Sequence, residues 1–153
     1  MNRMLLTIAV ILVAVFGICA VASVADNDKE SGTEGTGPQL YFVKNMSDNL
    51  LDLYLGQKDS SEMTLINDGG TFDIPENPII IVKAKNPSGD LSVKDGKIVI
   101  PTSSDTYYVT VAFDKVEPDA PVLSGSDSAY VAFTPDPSYS IINLGLFVTN
   151  YDS

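Results

Sequence analysis

The sequence predicts an all-β domain, an antiparallel β-sandwich preceded by an N-terminal hydrophobic helix. Three observations carry this reading. Beyond residue 38, apolar residues recur at alternate positions in short runs, and no segment keeps a 3.6-residue period. Turn residues (Gly, Pro, Asn, Asp) separate those runs at intervals of about ten residues. One two-residue hairpin signal, Asp95-Gly96, sits inside "LSVKDGKIVI".

Taken in chain order, residues 1–25 come first. Between residues 5 and 25 only Thr7 and Ser23 are polar. Such a run ends like a secretory signal when small residues follow in an A-x-A-like pattern, as in Ala20-Val21-Ala22 and Ser23-Val24-Ala25. Cleavage after Ala25 is preferred, because acidic Asp26 then opens the mature chain. The run is also about the 20 residues a spanning helix needs, so an uncleaved signal-anchor is the alternative. Arg3 holds the N-terminus inside in either case, which puts residues 26–153 outside the cytoplasm. Cys19, the single cysteine, follows Phe16-Gly17-Ile18. A lipid-attachment signal has a small residue directly before the cysteine, so Cys19 reads as a small apolar side chain of the leader.

An apolar N-terminal helix carrying a β-rich head resembles the type IV pilin family, with Arg3-Met4-Leu5-Leu6 at the processing position. The resemblance implies a retained helix packed in a filament core. The chain departs from that pattern in lacking a Gly or Ala before the run and an acidic residue a few positions into it.

Residues 26–38, "DNDKESGTEGTGP", are polar and glycine-rich and predict a flexible linker. The domain proper is residues 39–153. Leu51, Leu53 and Leu55 alternate with Asp52 and Tyr54. Met63 and Leu65 precede the turn Asn67-Asp68-Gly69-Gly70, and Phe72 and Ile74 follow it. The continuous run from Ile79 to Val82 predicts a central strand covered on both faces. The Asp95-Gly96 turn sets Val93 opposite Ile98 and Leu91 opposite Ile100. Tyr107, Val109, Val111 and Phe113 then alternate with Tyr108, Thr110 and Ala112. In the last strand Ile142, Leu144, Leu146 and Val148 face one way and Ile141, Phe147 and Thr149 the other, with Gly145 suggesting a bulge or a close backbone approach. Eight or nine such strands predict an immunoglobulin-like architecture, without the core cysteines and tryptophan of true immunoglobulin domains.

Composition excludes more than it selects. Residues 26–153 hold all 20 carboxylates against eight lysines and no arginine. A polyanion of this kind repels phosphate backbones, so nucleic acid is not an expected partner. Attraction to anionic lipid is equally disfavoured, and membrane contact is expected only through the N-terminal segment. Without histidine, and with no cysteine after Cys19, Ser-His-Asp and Cys-His catalysis cannot be assembled. Zinc and copper sites of the usual kind are excluded on the same ground.

Four groups of residues are candidates for chemistry. Asp114, Glu117, Asp119 and Asp127 flank one long loop with Pro118 and Pro121. If that loop joins antiparallel strands, its oxygens share one end of the sandwich, as in calcium-binding extracellular domains. The competing reading is a soluble, stiff loop, and no cofactor is expected beyond a calcium ion at this loop. Tyr54, Tyr108 and Tyr130 each oppose the apolar stripe of their strand and, if adjacent in one sheet, would make an aromatic platform for a sugar ring. Ordinary cross-strand packing accounts for them equally. Lys44 with Asn143 or Asn150, and Asp52 nearby, have the residue types of a Lys–Asn isopeptide crosslink. Asn45-Met46-Ser47 is a glycosylation sequon, whereas Asn86-Pro87-Ser88 is blocked by its proline. Two short segments echo each other, Lys44-Asn45-Met46-Ser47 and Lys85-Asn86-Pro87-Ser88.

These readings converge on a prokaryotic export product: a secreted or cell-surface, non-enzymatic β-sandwich module that binds a protein or glycan. One alternative is a structural subunit of a pilus-like filament or surface layer, held through its N-terminal helix. The other is a carboxylate-based hydrolase, although the glutamates at 30, 34, 62, 76 and 117 select no pair.

Overall fold

The computed structural model describes residues 37–150. The expected leader, its cleavage point after Ala25, Cys19 and nearly all of the 26–38 linker lie outside the described residues.

The described residues are all-β, with eleven strands and no helix. The strands are β1 (Gln39–Phe42), β2 (Leu51–Gln57), β3 (Met63–Leu65), β4 (Gly70–Asp73), β5 (Pro78–Ala84) and β6 (Ser92–Lys94). They continue as β7 (Lys97–Pro101), β8 (Thr106–Phe113), β9 (Val122–Leu123), β10 (Ser128–Ala132) and β11 (Ile141–Asn150). They form a five-stranded sheet in the order β9-β10-β5-β2-β3 and a six-stranded sheet in the order β4-β1-β11-β8-β7-β6.

Period-two sequence makes these strands and aims them. In β2, Leu51, Leu53 and Leu55 are buried while Asp52 and Tyr54 face the other way. In β10, Ala129 and Val131 are buried between half-exposed neighbours. In β11, Ile142 and Leu144 are buried and Ile141 and Asn143 exposed. The inward sets of both sheets meet in one apolar cluster that includes Leu40, Leu53, Ile80, Val82, Ile98, Val109 and Ile142. Fully burying each such side chain contributes about 1.5–3 kcal/mol. At one end Phe113, of the six-stranded sheet, stacks on Phe133, which follows β10, with centroids 4.4 Å apart.

The hairpin forms as its turn residues predict. Asp95 and Gly96 take φ of 53° and 76°, and Val93 pairs with Ile98. The further pairing of Leu91 with Ile100 does not occur. The ladder stops at Ser92 and Val99, and the Leu91 amide donates to the Ser126 carbonyl instead.

Three other expectations are corrected. The assembly is not purely antiparallel, because β1 runs parallel to β11, with Gln39 beside Ile141 and Phe42 beside Leu144. Gly145 is not at a bulge. Leu144, Gly145 and Leu146 pair without interruption with Phe113, Ala112 and Val111. A Cβ at Gly145 would sit 3.3 Å from the Phe147 ring, so the glycine leaves room for that ring on the outer face. Residues 114–127 are not one free loop, because Pro118 bridges to Phe133 and β9 pairs with β10.

A buried polar knot holds the exit of β1 against β2. Asn67 Oδ1 accepts from the Leu53 amide at 2.8 Å and from Asn45 Nδ2 at 3.4 Å. Asn67 Nδ2 donates to Asp52 at 2.8 Å. Asn45 Oδ1 accepts from the Ser47 amide, and the Asn45 amide donates to the Asn67 carbonyl. Gly69, at φ 81°, lets the turn approach so closely that a Cβ there would lie 2.8 Å from the Lys44 nitrogen. Every buried amide of this knot thus has a partner, as burial requires.

Candidate functional site

The strongest surface feature lies on the outer face of the five-stranded sheet. Alternation turns Leu51, Leu53 and Leu55 inward, so Tyr54 must point outward. The same rule turns Ile81 outward between core-facing Ile80 and Val82, and Tyr130 outward between Ala129 and Val131. Register then lines these residues up. Leu65 pairs with Tyr54, Tyr54 with Ile81, Ile81 with Tyr130, and Tyr130 with Val122. The result is one apolar row, Leu65–Tyr54–Ile81–Tyr130–Val122, crossing all five strands. The neighbouring row is Met63–Gly56–Ile79–Ala132. Gly56 keeps it low, since a Cβ there would press on Ile81 Cδ1 at 3.2 Å.

The ends of the face are open to solvent, with Leu65 at 51%, Met63 at 49% and Val122 at 46% exposure. Its centre is half-buried. Of the run expected to be covered on both faces, Ile79, Ile80 and Val82 are buried and Ile81 is half-buried. Next along the strands comes a charged border, where Lys83 pairs with Asp127 at 3.7 Å and Lys85 with Asp52 at 3.6 Å.

The structure divides the three tyrosines. Tyr54 and Tyr130 flank Ile81 on one sheet, about 10 Å apart at two strand spacings. Tyr108 belongs to β8 of the other sheet, in register with Thr149 and Val99. The expected three-ring platform therefore does not form, and a two-tyrosine row with an aliphatic centre stands in its place. Leu65, Met63, Ile81 and Val122 were missed in the sequence because only register shows that they join Tyr54 and Tyr130.

The acidic residues are likewise dispersed. Asp114 Oδ1 and Oδ2 accept from the backbone and side-chain amides of Asn143, both at 2.7 Å. These bonds, helped by Lys115 3.4 Å away, hold the Asp114 carboxyl below the ordinary aspartate range. The Lys115 ammonium also sits over the Tyr139 ring. Asp119 is beside the C-terminal end of β10, its amide donating to the Ala132 carbonyl. Asp127 precedes the N-terminal end of the same strand and pairs with Lys83. Glu117 adjoins the Pro118 bridge. Among the described residues no group of three or more carboxylates or thiols is placed to hold a metal ion.

Asn45 is 1% exposed, and its Nδ2 faces Asn67 and the Leu51 carbonyl. A glycan at that nitrogen would have to displace the knot. Lys44 pairs with Asp48, Asn143 with Asp114, and Asp52 with Asn67 and Lys85, so these three of the groups proposed for an isopeptide bond are engaged separately. Of the glutamates, Glu76 lines an open cleft of about 580 Å3 together with Lys58 and Asp119. No family model, curated protein or solved structure matches this chain.

Proposed function

We propose that residues 39–150 form an immunoglobulin-like sandwich that works outside the cell as a non-enzymatic module and docks a protein partner through the outer face of its five-stranded sheet. The observation that carries this is the apolar row from Leu65 to Val122. Interface centres are enriched in tyrosine and methionine and have a polar rim, and this face carries Tyr54, Tyr130 and Met63 with a charged border along one side. Contiguous exposed apolar surface on a soluble domain marks interaction sites. A protein fits better than a glycan because aliphatic Ile81 separates the two rings, where a sugar platform needs flat aromatic surface. The apolar leader with its small-residue ending supports export. The absence of histidine, and of cysteine after Cys19, supports a binding role over catalysis.

The test is site-specific photo-crosslinking in the native host. A photoreactive residue at Leu65 should give a protein adduct of defined mass, lost on Tyr130→Asp. The same group at Phe147, exposed on the opposite sheet, should give none. No adduct from Leu65, or equal adducts from both positions, overturns the reading. N-terminal sequencing of the native protein tests export separately: a start at Asp26 is expected, and a start near Leu5 favours a filament or an anchor.

A further inference from the structure

A second surface has different chemistry. The connections around residues 46–50, 86–87 and 102–104 converge at one end of the molecule on a cleft of about 380 Å3, closed by residues of β7, β8 and β11. In a chain with 20 carboxylates and nine basic residues, no charged side chain of the described residues lines it. The lining instead mixes the amides of Asn49 and Asn86, the hydroxyls of Ser103 and Ser104 and the phenol of Tyr107 with apolar surface such as Met46. Among the described residues none of those five polar side chains has a hydrogen-bond partner, as groups that await a ligand would not. Both halves of the Lys-Asn-x-Ser echo contribute, through Met46-Ser47 and Asn86-Pro87.

We propose that this cleft binds an uncharged sugar ring. An anion would find no cation in the lining and would face a net charge of −11 on the protein. A cation would find no carboxylate there. A wholly apolar ligand would strip water from the amides and hydroxyls without replacing their hydrogen bonds. A neutral polyol with apolar C–H faces satisfies both halves of the lining. The volume lies at the small end of the about 300–1,000 Å3 typical of ligand clefts, which suits a terminal sugar rather than an extended oligosaccharide. The 580 Å3 cleft does not share this chemistry, because Lys58, Glu76 and Asp119 line it. The proposal does not depend on the protein-docking row, with which it shares no residue.

The experiment is saturation-transfer NMR on the full chain in a detergent without a sugar headgroup. The probes are glucose, galactose, mannose and N-acetylglucosamine, with glucuronate as the charged control and an uncharged tetrapeptide as the other ligand class. Transfer to at least one neutral sugar and none to glucuronate is expected. Asn86→Ala and Tyr107→Phe should each weaken that sugar about tenfold, the worth of one ligand hydrogen bond. Tyr107→Phe removes a single oxygen and keeps the ring, so amide-spectrum dispersion should remain native. The proposal is overturned by transfer to none of the four sugars, by sugar binding unchanged in both variants, or by binding of the tetrapeptide alone.

Discussion

Asn67 shows how much one polar side chain can hold. Its Oδ1 is the acceptor for the Leu53 amide of β2. Asn67→Ala should lower stability by about 2 kcal/mol, since it strands a buried N–H. Urea unfolding measures this, and an unchanged midpoint would show that the knot contributes nothing. Asp114 gives the corresponding expectation for pH. Its carboxyl is held below the ordinary aspartate value of about 3.9 by the amides of Asn143. A depressed folded pKa stabilises fully above the unfolded value and loses its effect as pH falls through the folded one. The gap in urea midpoint between wild type and Asp114→Ala should therefore be widest near neutrality and narrow below about pH 4. Neither role was legible in the sequence. Asn45 reads there as a sequon and Asn67 as a turn residue, because their burial depends on partners 22 positions apart.

Elements set by neighbouring residues were legible, and those set by distant ones were not. Asp95-Gly96 carries its own turn geometry, so the β6–β7 hairpin could be read locally. Sheet membership could not, and Tyr108 was grouped with Tyr54 and Tyr130 because alternation gives a face but not a sheet. Alternation also left open whether Gly145 marks a bulge. Three glycine substitutions separate the physical causes. Gly96→Ala meets open space and suffers only from positive φ, about 1–2 kcal/mol. Gly69→Ala adds a backbone clash to that strain and should lose about 3 kcal/mol. Gly145→Ala meets only the exposed Phe147 ring, which can swing aside, and should stay within about 0.5 kcal/mol of wild type. Thermal unfolding of the three variants checks the order, and Gly145→Ala as the worst would contradict it.

For the whole molecule, the sequence announced the class but not its closure. Period-two stripes and turn spacing were enough for two-sheet all-β architecture around one core. The parallel pairing of β1 with β11 has no local signature, since neither strand names its partner. Calcium should leave the unfolding midpoint unchanged, because the four acidic candidates sit at separate places; a rise would mean that the loops can gather. That same pairing also dictates an order of events. β1 can pair with β4 about thirty residues on, but its other edge is covered only when β11 is made, about a hundred residues and, at about 5–20 residues per second, roughly 5–20 seconds later. Until then β1 is an open sheet edge, and the core that takes in Leu40 and Phe42 lacks Ile142 and Leu144. The sheet is thus born with an unpaired edge, and whatever shields that edge in the interval is part of how the domain matures.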